Sequence, residues 1–302
     1  GNLFGSYYFS TPDDFFSYYN GFKAGQTGLG KYINQYYFKE ANVDVTGDPR
    51  WAASFGAGQL GFYVQDKWDV SNSFQLTYGL RMDMPLFFDR PAENAPFNEW
   101  AAQNGYSFKT NQRLSSAPMW SPRVGFRWDL NNDHKFILRG GVGIFTGRIP
   151  FVWLSNSFSN TGIQLSSYTA RRSDKISLIL DPNKQSENGR LLTASSGSQL
   201  INVFDKDFKF SQNLRANLGV DFKLLGIDWT AEAIYSKTLN DVYYQNVAYT
   251  ESGKILADKT GLYWDNRPMY ERVTTGLPFN EIYVLKNTNK GYTYSLSLKA
   301  DK

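Results

Sequence analysis

The sequence predicts an all-β fold, and within that class an antiparallel transmembrane β-barrel segment with short turns at one end and long loops at the other. Three observations carry this. Side chains alternate with period two over unusually long runs, the alternation separates apolar from charged faces, and the connections between runs are alternately short and long. From Leu60, the residues Leu60, Phe62, Val64 and Trp68 share one face, and Gly61, Tyr63, Gln65 and Lys67 share the other. After the turn Val70-Ser71-Asn72-Ser73, the residues Phe74, Leu76, Tyr78, Leu80, Met82 and Met84 oppose Gln75, Thr77, Gly79, Arg81 and Asp83. Both runs exceed the ~5–6 residues of an ordinary strand. A ribbon apolar on one face and charged on the other suits the wall of a membrane barrel.

Composition agrees. The 302 residues include 20 Tyr, 23 Phe and 8 Trp, yet mean hydropathy is only −0.46. The apolar run from Ile149 to Leu154, interrupted by Pro150, is among the longest, far short of the roughly 18 residues of a membrane helix. Half of each barrel strand faces a polar lumen, so low average hydropathy is compatible with a barrel. There is no cysteine, which removes disulfides and thiolate metal sites. The net charge of +4 comes from mixed signs without a basic block, which gives no support to nucleic-acid binding.

In chain order, Ser6 to Phe9 reads as the end of a strand. Thr11 then caps a short helix with Pro12 in its first turn and Asp13 and Asp14 at the positive end of its dipole. That helix is expected to reach about Asn20 and stop at Gly21. Lys31 to Val45 is strand-like. Leu86 to Met119 is a long polar connection. A second hairpin sets Val124, Phe126, Trp128 and Leu130 against Arg123, Gly125, Arg127 and Asp129. It turns at Asn131-Asn132-Asp133-His134 and returns through Phe136, Leu138, Val142 and Ile144. A connection from about Arg148 to Asp207 leads to a third hairpin. There Leu214, Ala216, Leu218, Val220, Phe222 and Leu224 oppose Asn213, Arg215, Asn217, Asp221 and Lys223. It turns at Leu225-Gly226-Ile227-Asp228 and returns through Trp229, Ala231, Ala233 and Tyr235. A further long connection covers Asn246 to Asn280, and the last strand holds Tyr292, Tyr294, Leu296 and Leu298. Trp68, Trp128 and Trp229 adjoin the short turns, where an aromatic girdle meets a membrane interface. Both ends of the sequence fall in or beside strands, so residues 1–302 read as part of one barrel domain within a longer protein. A soluble sandwich or propeller with one buried face is the competing reading of the alternation.

No catalytic constellation emerges. His134 is the only histidine and sits in a turn, which excludes histidine-dependent triads and multi-histidine metal sites. Gly140-Gly141-Val142-Gly143 lies mid-strand without a following helix or Lys-Ser/Thr, so it is not a nucleotide loop. Glycine there permits curvature or close approach of a body in the lumen. Asp181 to Gly189 lacks the calcium-loop register and reads as a turn. Arg81, Asp83, Arg123, Arg127, Arg139 and Arg215 fall on polar faces that would line the lumen. They serve either a ligand path, for which Arg81, Arg127 and Arg139 are the candidates, or ion pairing within the wall. Tyr249, Tyr263, Trp264, Arg267 and Tyr270 concentrate aromatic and cationic groups in one long outer loop, suited to capture of a sugar or peptide or, equally, to loop packing.

Several stretches together resemble the TonB-dependent receptors of Bacteroidota, in particular the Oar-like group. They are Tyr8-Phe9-Ser10-Thr11-Pro12-Asp13-Asp14-Phe15, Gln59 to Trp68, Leu76 to Asp83, Ser121 to Phe126, Leu138 to Arg148, Val152 to Asn156, Ile234 to Lys237 and Asn287 to Tyr292. The resemblance implies a barrel of about 22 strands with a plugged lumen. It also implies a Gram-negative outer-membrane location, contact with membrane lipid, and energy supplied by an inner-membrane TonB complex through a plug with no match in these residues. A surface lipoprotein lid is a further partner it leaves open. The expected function is part of an active transporter for a scarce or bulky ligand, with no enzymatic activity and no cofactor. A passive porin-like barrel and a soluble secreted β-rich binding domain are the alternatives.

Overall fold

The period-two segments become the strands of one antiparallel wall. The computed structural model describes residues 5–48, 50–148, 150–172, 176–179, 181, 184, 200–273, 279 and 281–302. Its elements are β1 (Ser6–Tyr8), α1 (Pro12–Lys23), β2 (Gln35–Ala41), α2 (Val43–Thr46), β3 (Ala57–Asp69), β4 (Phe74–Phe87), α3 (Ala95–Gln103), β5 (Met119–Asp129), β6 (Phe136–Thr146) and α4 (Phe151–Ser159). There follow β7 (Leu165–Ala170), β8 (Leu200–Phe204), β9 (Gln212–Leu224), β10 (Ile227–Asn246), β11 (Tyr249–Ile255), α5 (Leu256–Thr260), β12 (Pro268–Arg272), β13 (Glu281–Thr288) and β14 (Tyr292–Asp301).

The wall runs β3-β4-β5-β6-β9-β10-β14, antiparallel throughout. Register keeps like with like. Phe62 faces Met82, Leu76 faces Phe126, and Leu218 and Leu296 flank Ala233. The sheet is not closed: among the described residues β3 pairs only with β4, and β14 only with β10. The turns at Val70–Ser73, Leu130–Lys135 and Leu225-Gly226 lie at one end, and the long connections at the other. Leu225 and Gly226 both have positive φ, at 56° and 75°, as a two-residue hairpin turn of matching twist requires.

Among the described residues no second layer covers the apolar face of the wall. Leu218 is 51% exposed and Leu296 78%, while the three buried hydrophobic clusters all lie toward the loop end. One joins Phe97, Ala101 and Phe108 to Ile201, Val203, Ile282 and Val284. A second joins Phe87, Leu114, Leu154, Phe204, Phe208 and Leu285. The third holds Tyr18, Ile33, Tyr36 and Phe38 under α1. A sandwich would bury the mid-strand leucines; here a lipid phase must take them. At the turn end a band of rings crosses the same face. Phe74 meets Trp128 edge-on at 6.1 Å, Phe136 meets Phe222 at 6.2 Å, and Phe222 stacks on Trp229 at 6.4 Å.

The structure corrects the end of the first helix and adds detail to three other expectations. The first helix starts as expected, with the Thr11 hydroxyl accepting from the Asp14 amide at 3.1 Å, but continues through Gly21 to Lys23. Gly21 is buried in mid-helix because a Cβ there would lie 2.7 Å from Leu29 Cδ2. Ser6–Tyr8 is a strand, as expected, and it joins β2 and β7 in a three-stranded sheet separate from the wall. The return strand of the third hairpin spans 20 residues and ends at Asn246, where the next long connection was expected to begin. Its lower part pairs with β14 and its upper part with β13, which in turn pairs in parallel with β8. Finally, among the described residues the long connections hold α3, α4 and the β11–β12 hairpin. Most of the Asp181 to Gly189 turn lies outside the described residues.

An arginine at the centre of the lipid face is expensive, by about 2–4 kcal/mol, whereas the lumen face tolerates charge. We expect Leu218→Arg to destabilise the bilayer-inserted barrel by about that amount and Asn217→Arg much less. Urea titration in lipid vesicles measures both, and equal losses would count against the assignment of faces.

Candidate functional site

On the lumen face, alternation brings Arg81, Arg123, Arg127, Arg139 and Arg215 to one side of the sheet. Two of them are held within the wall. Arg81 grips Asp83 through Nε at 2.7 Å and Nη2 at 2.8 Å, and Gln59 donates to the same carboxylate at 2.9 Å. Arg139 bridges two strands, donating to Asp221 at 3.1 Å and to Glu232 at 2.9 Å, while the Thr230 hydroxyl donates to Asp221 at 2.8 Å. Gly219 makes room for that bridge, since a Cβ there would lie 3.0 Å from Arg139 Cζ. Among the described residues no ion pair involves Arg123, Arg127 or Arg215. Arg123 and Arg215 border a shallow cavity of about 440 Å³ that Gly125, Gly141 and Gly143 also line, together with Thr77, Asn217, Phe145 and Ile234.

At the loop end, β10 rises past the point where β9 begins and turns at Val247-Ala248 into the β11–β12 hairpin. The Asn246 side chain fixes this bend: its amide donates to Glu281 and its oxygen accepts from the Ala248 amide at 3.0 Å. Between the top of β10 and the hairpin lies a cleft of about 710 Å³, lined by Tyr243, Tyr244, Gln245, Asn246, Tyr249, Thr250, Glu251 and Tyr270.

The five aromatic and cationic candidates of this loop therefore divide. Tyr249 and Tyr270 meet in the cleft, brought together by the pairing of β11 with β12. Tyr263 and Trp264 stand outside it on the α5–β12 loop, 89% and 65% exposed. Arg267 is occupied by Asp265, through Nε at 2.8 Å and Nη2 at 2.7 Å. That bidentate hydrogen bond holds the Asp265 carboxyl below the usual carboxylate range. It also fixes the backbone that closes the hairpin, where Ala257 N donates to Asp265 O at 3.0 Å and Leu256 N to Arg267 O at 2.8 Å. Tyr243, Gln245 and Glu251 escaped sequence reasoning. Their only signal was the Tyr243-Tyr244 pair just upstream of the loop.

The family described as "Outer membrane beta barrel domain" matches residues 7–302. Among solved structures, the crystal structure of the siderophore receptor PirA from Pseudomonas aeruginosa is similar at a TM-score of 0.41 and 13% identity. The similarity covers 87% of this chain and 34% of that one, so the chain spans about a third of that receptor's length. No curated protein gives a significant match.

Because Asp265 has its pKa lowered in the folded state, the Asp265–Arg267 pair contributes stability that is fully present above the ordinary carboxylate pKa. That contribution is lost as pH falls through the lowered value. Asp265→Asn removes the charge at neutral pH. Amide hydrogen exchange at Leu256 and Ala257 should then quicken several-fold while the wall amides of β5 and β6 are unchanged. Unaltered exchange at the two loop amides would show that the hairpin is closed by other contacts.

Proposed function

The chain belongs to the outer membrane beta barrel domain family, and from that membership we propose that it is a section of the wall of a TonB-dependent outer-membrane transporter, of the Oar-like kind that its motifs resemble. Residues 1–302 form part of one barrel domain in this reading. The backbone edges of β3 and β14 have no strand partners among the described residues, and unpaired strand edges are not tolerated in lipid, so further strands close the barrel.

The observation that carries the reading is the glycine-lined cavity on the lumen face. Gly125 and Gly141 place no side chain beside Arg123 and Arg215, cations without ion-pair partners among the described residues, while the Phe145 ring lies over Gly143. A water-filled pore gains nothing from a missing side chain. A solid plug can press against the backbone there and bring carboxylates or carbonyls to the arginines. The protein works as a gated path and not as an enzyme. The outer hairpin, with Tyr249, Tyr263, Trp264, Arg267 and Tyr270, captures ligand. Arg127, together with the wall-held Arg81 and Arg139, lines the path inward. Membrane lipid surrounds the wall, and the TonB complex acts through the plug.

Planar-bilayer conductance tests this directly. Protein extracted from outer membranes should show no steady conductance while its plug is seated, and import by cells should stop when the proton-motive force is dissipated, with surface capture unchanged. Continuous conductance, or import that persists without TonB, would overturn the transporter reading in favour of a passive porin.

A further inference from the structure

Strand register assigns the side chains that face lipid, and one of them is out of place. Across the paired positions of β4, β5, β6, β9, β14 and of β10 from Ile227 to Lys237, the face carrying Leu218 and Leu296 holds one charged residue, Lys237. On β3 this face also holds Asp66, but at the turn end, where it accepts from the Tyr78 hydroxyl at 2.8 Å. Lys237 stands eight residues toward the loop end from Trp229, the interval that also separates Trp120 from Trp128 on β5. Eight residues are about 26 Å of strand, or about 20 Å of height at a barrel tilt near 40°. Lys237 and Trp120 therefore mark the outer edge of the apolar band, and the exposed rings of Tyr235, Tyr292 and Tyr294 adjoin Lys237. Lys237 Nζ donates to the backbone oxygens of Asn289 at 2.8 Å and Gly291 at 3.4 Å, which fastens the joint between β13 and β14 but leaves the charge uncompensated. Among the described residues no ion pair involves it. Asp241, the next acid along β10, accepts from the Ser211 hydroxyl at 3.2 Å and the Val242 amide at 2.8 Å. Arg215 pairs with Ser236 and belongs to the lumen face, and Lys290 brings a second positive charge to the same joint.

Below Lys237 on the same face come Tyr235, Ala233 and Ala231. Larger side chains flank the two alanines: Leu218 and Leu296 beside Ala233, Val220 and Leu298 beside Ala231. The flanking rows are two strand spacings apart, about 10 Å, and the alanines leave a slot between them. A cavity of about 310 Å³ lies along it, lined by Leu138, Leu218, Val220, Ala231, Ala233 and Leu296. Aliphatic walls, then a phenol, then an ammonium follow the order of parts in one kind of molecule, from acyl chain to anionic headgroup. A neutral lipid would leave Lys237 without a counter-charge, and a free anion would leave the slot unused. A second copy of this face offers no carboxylate at that height, because Asp66 lies at the other end. We propose that this strip of the wall binds an acyl lipid with a phosphate headgroup, its chain in the slot beside Ala231 and Ala233 and its phosphate at Lys237. The phenols of Tyr235 and Tyr292 supply further donors, since among the described residues their hydroxyls make no hydrogen bond. The inference needs only the wall in its membrane and holds for an energised transporter and a passive barrel alike.

Native mass spectrometry of the full-length protein, released from neutral detergent micelles, provides the test. The probe is dioleoyl phosphatidic acid; diolein supplies the same chains without phosphate, and glycerol phosphate the headgroup without chains. Phosphatidic acid should bind several-fold tighter than diolein, and a large excess of glycerol phosphate should not displace it. Lys237→Gln should weaken phosphatidic acid about fivefold, the scale of one lysine at an anionic lipid surface, and leave diolein unchanged. A loosened joint alone would weaken both lipids alike. Lys237→Arg should keep most of the affinity. Ala233→Phe, which fills the slot and leaves Lys237 in place, should weaken phosphatidic acid several-fold, whereas Leu80→Phe on the lipid face of β4 should have no effect. The proposal is overturned if diolein binds as tightly as phosphatidic acid or if glycerol phosphate displaces the lipid. It is equally overturned if Lys237→Gln spares phosphatidic acid or weakens both lipids alike, or if Ala233→Phe does no more than Leu80→Phe. Because the measurement needs neither TonB nor a membrane potential, its failure is separable from a failure of the transporter reading, which the conductance experiment decides.

Discussion

Lipid offers no hydrogen bonds, so every peptide group of a wall immersed in it must find its partner on the next strand. The rest of this structure follows from that requirement. Ladders such as β3–β4, continuous from Ala57↔Phe87 to Asp69↔Gln75, leave side-chain alternation as the only freedom. Alternation then sorts leucine, valine and phenylalanine to one face and arginine, aspartate and glycine to the other. With the apolar face committed to lipid, the chain builds its buried clusters where the strands leave the membrane, at the loop end. The aromatic band at the turn end marks the opposite boundary.

The wall was legible because a one-sided sheet writes a period of two into the sequence. Where both faces are covered, the signal disappears. In β13, Ile282 and Val284 pack under α3 while Leu285 packs against Phe204 and Phe208, so apolar residues occupy both parities and no alternation marks the strand. The upper half of β10 was hidden for a different reason. A bulge between Thr238 and Asn240 shifts its parity by one, which breaks the pattern at the point where the strand leaves β9. Gly21 illustrates a third kind of loss: a glycine demanded by the close approach of Leu29 has the same letter as one that ends a helix.

The site was less legible than the fold, because its geometry depends on partners distant in sequence. Arg139 reaches Asp221 and Glu232, 82 and 93 positions away, and nothing local announces those bonds. Within the outer loop, composition singled out Tyr249 and Tyr270 together with Tyr263 and Trp264. Pairing of β11 with β12 gathers the first two and leaves the others on the α5–β12 loop. Gln245 and Glu251 carry no compositional signal, and only the fold of the bend brings them to the same cleft.

The length of β10 has mechanical meaning. At about 3.3 Å per residue its 20 residues extend roughly 65 Å, and even with a tilt near 45° this exceeds the ~25 Å height of an apolar band. Its neighbour at the same position in the wall is jointed, broken at Asn289–Gly291 between β13 and β14, with Gly291 at φ 107°. One strand is thus a mast stepped through the bilayer, and the one beside it is a spar with a knuckle. The tyrosine cleft is carried on the mast, well beyond the height of an apolar band, and β13 above the knuckle is bonded to that same mast over Asp241–Asn246.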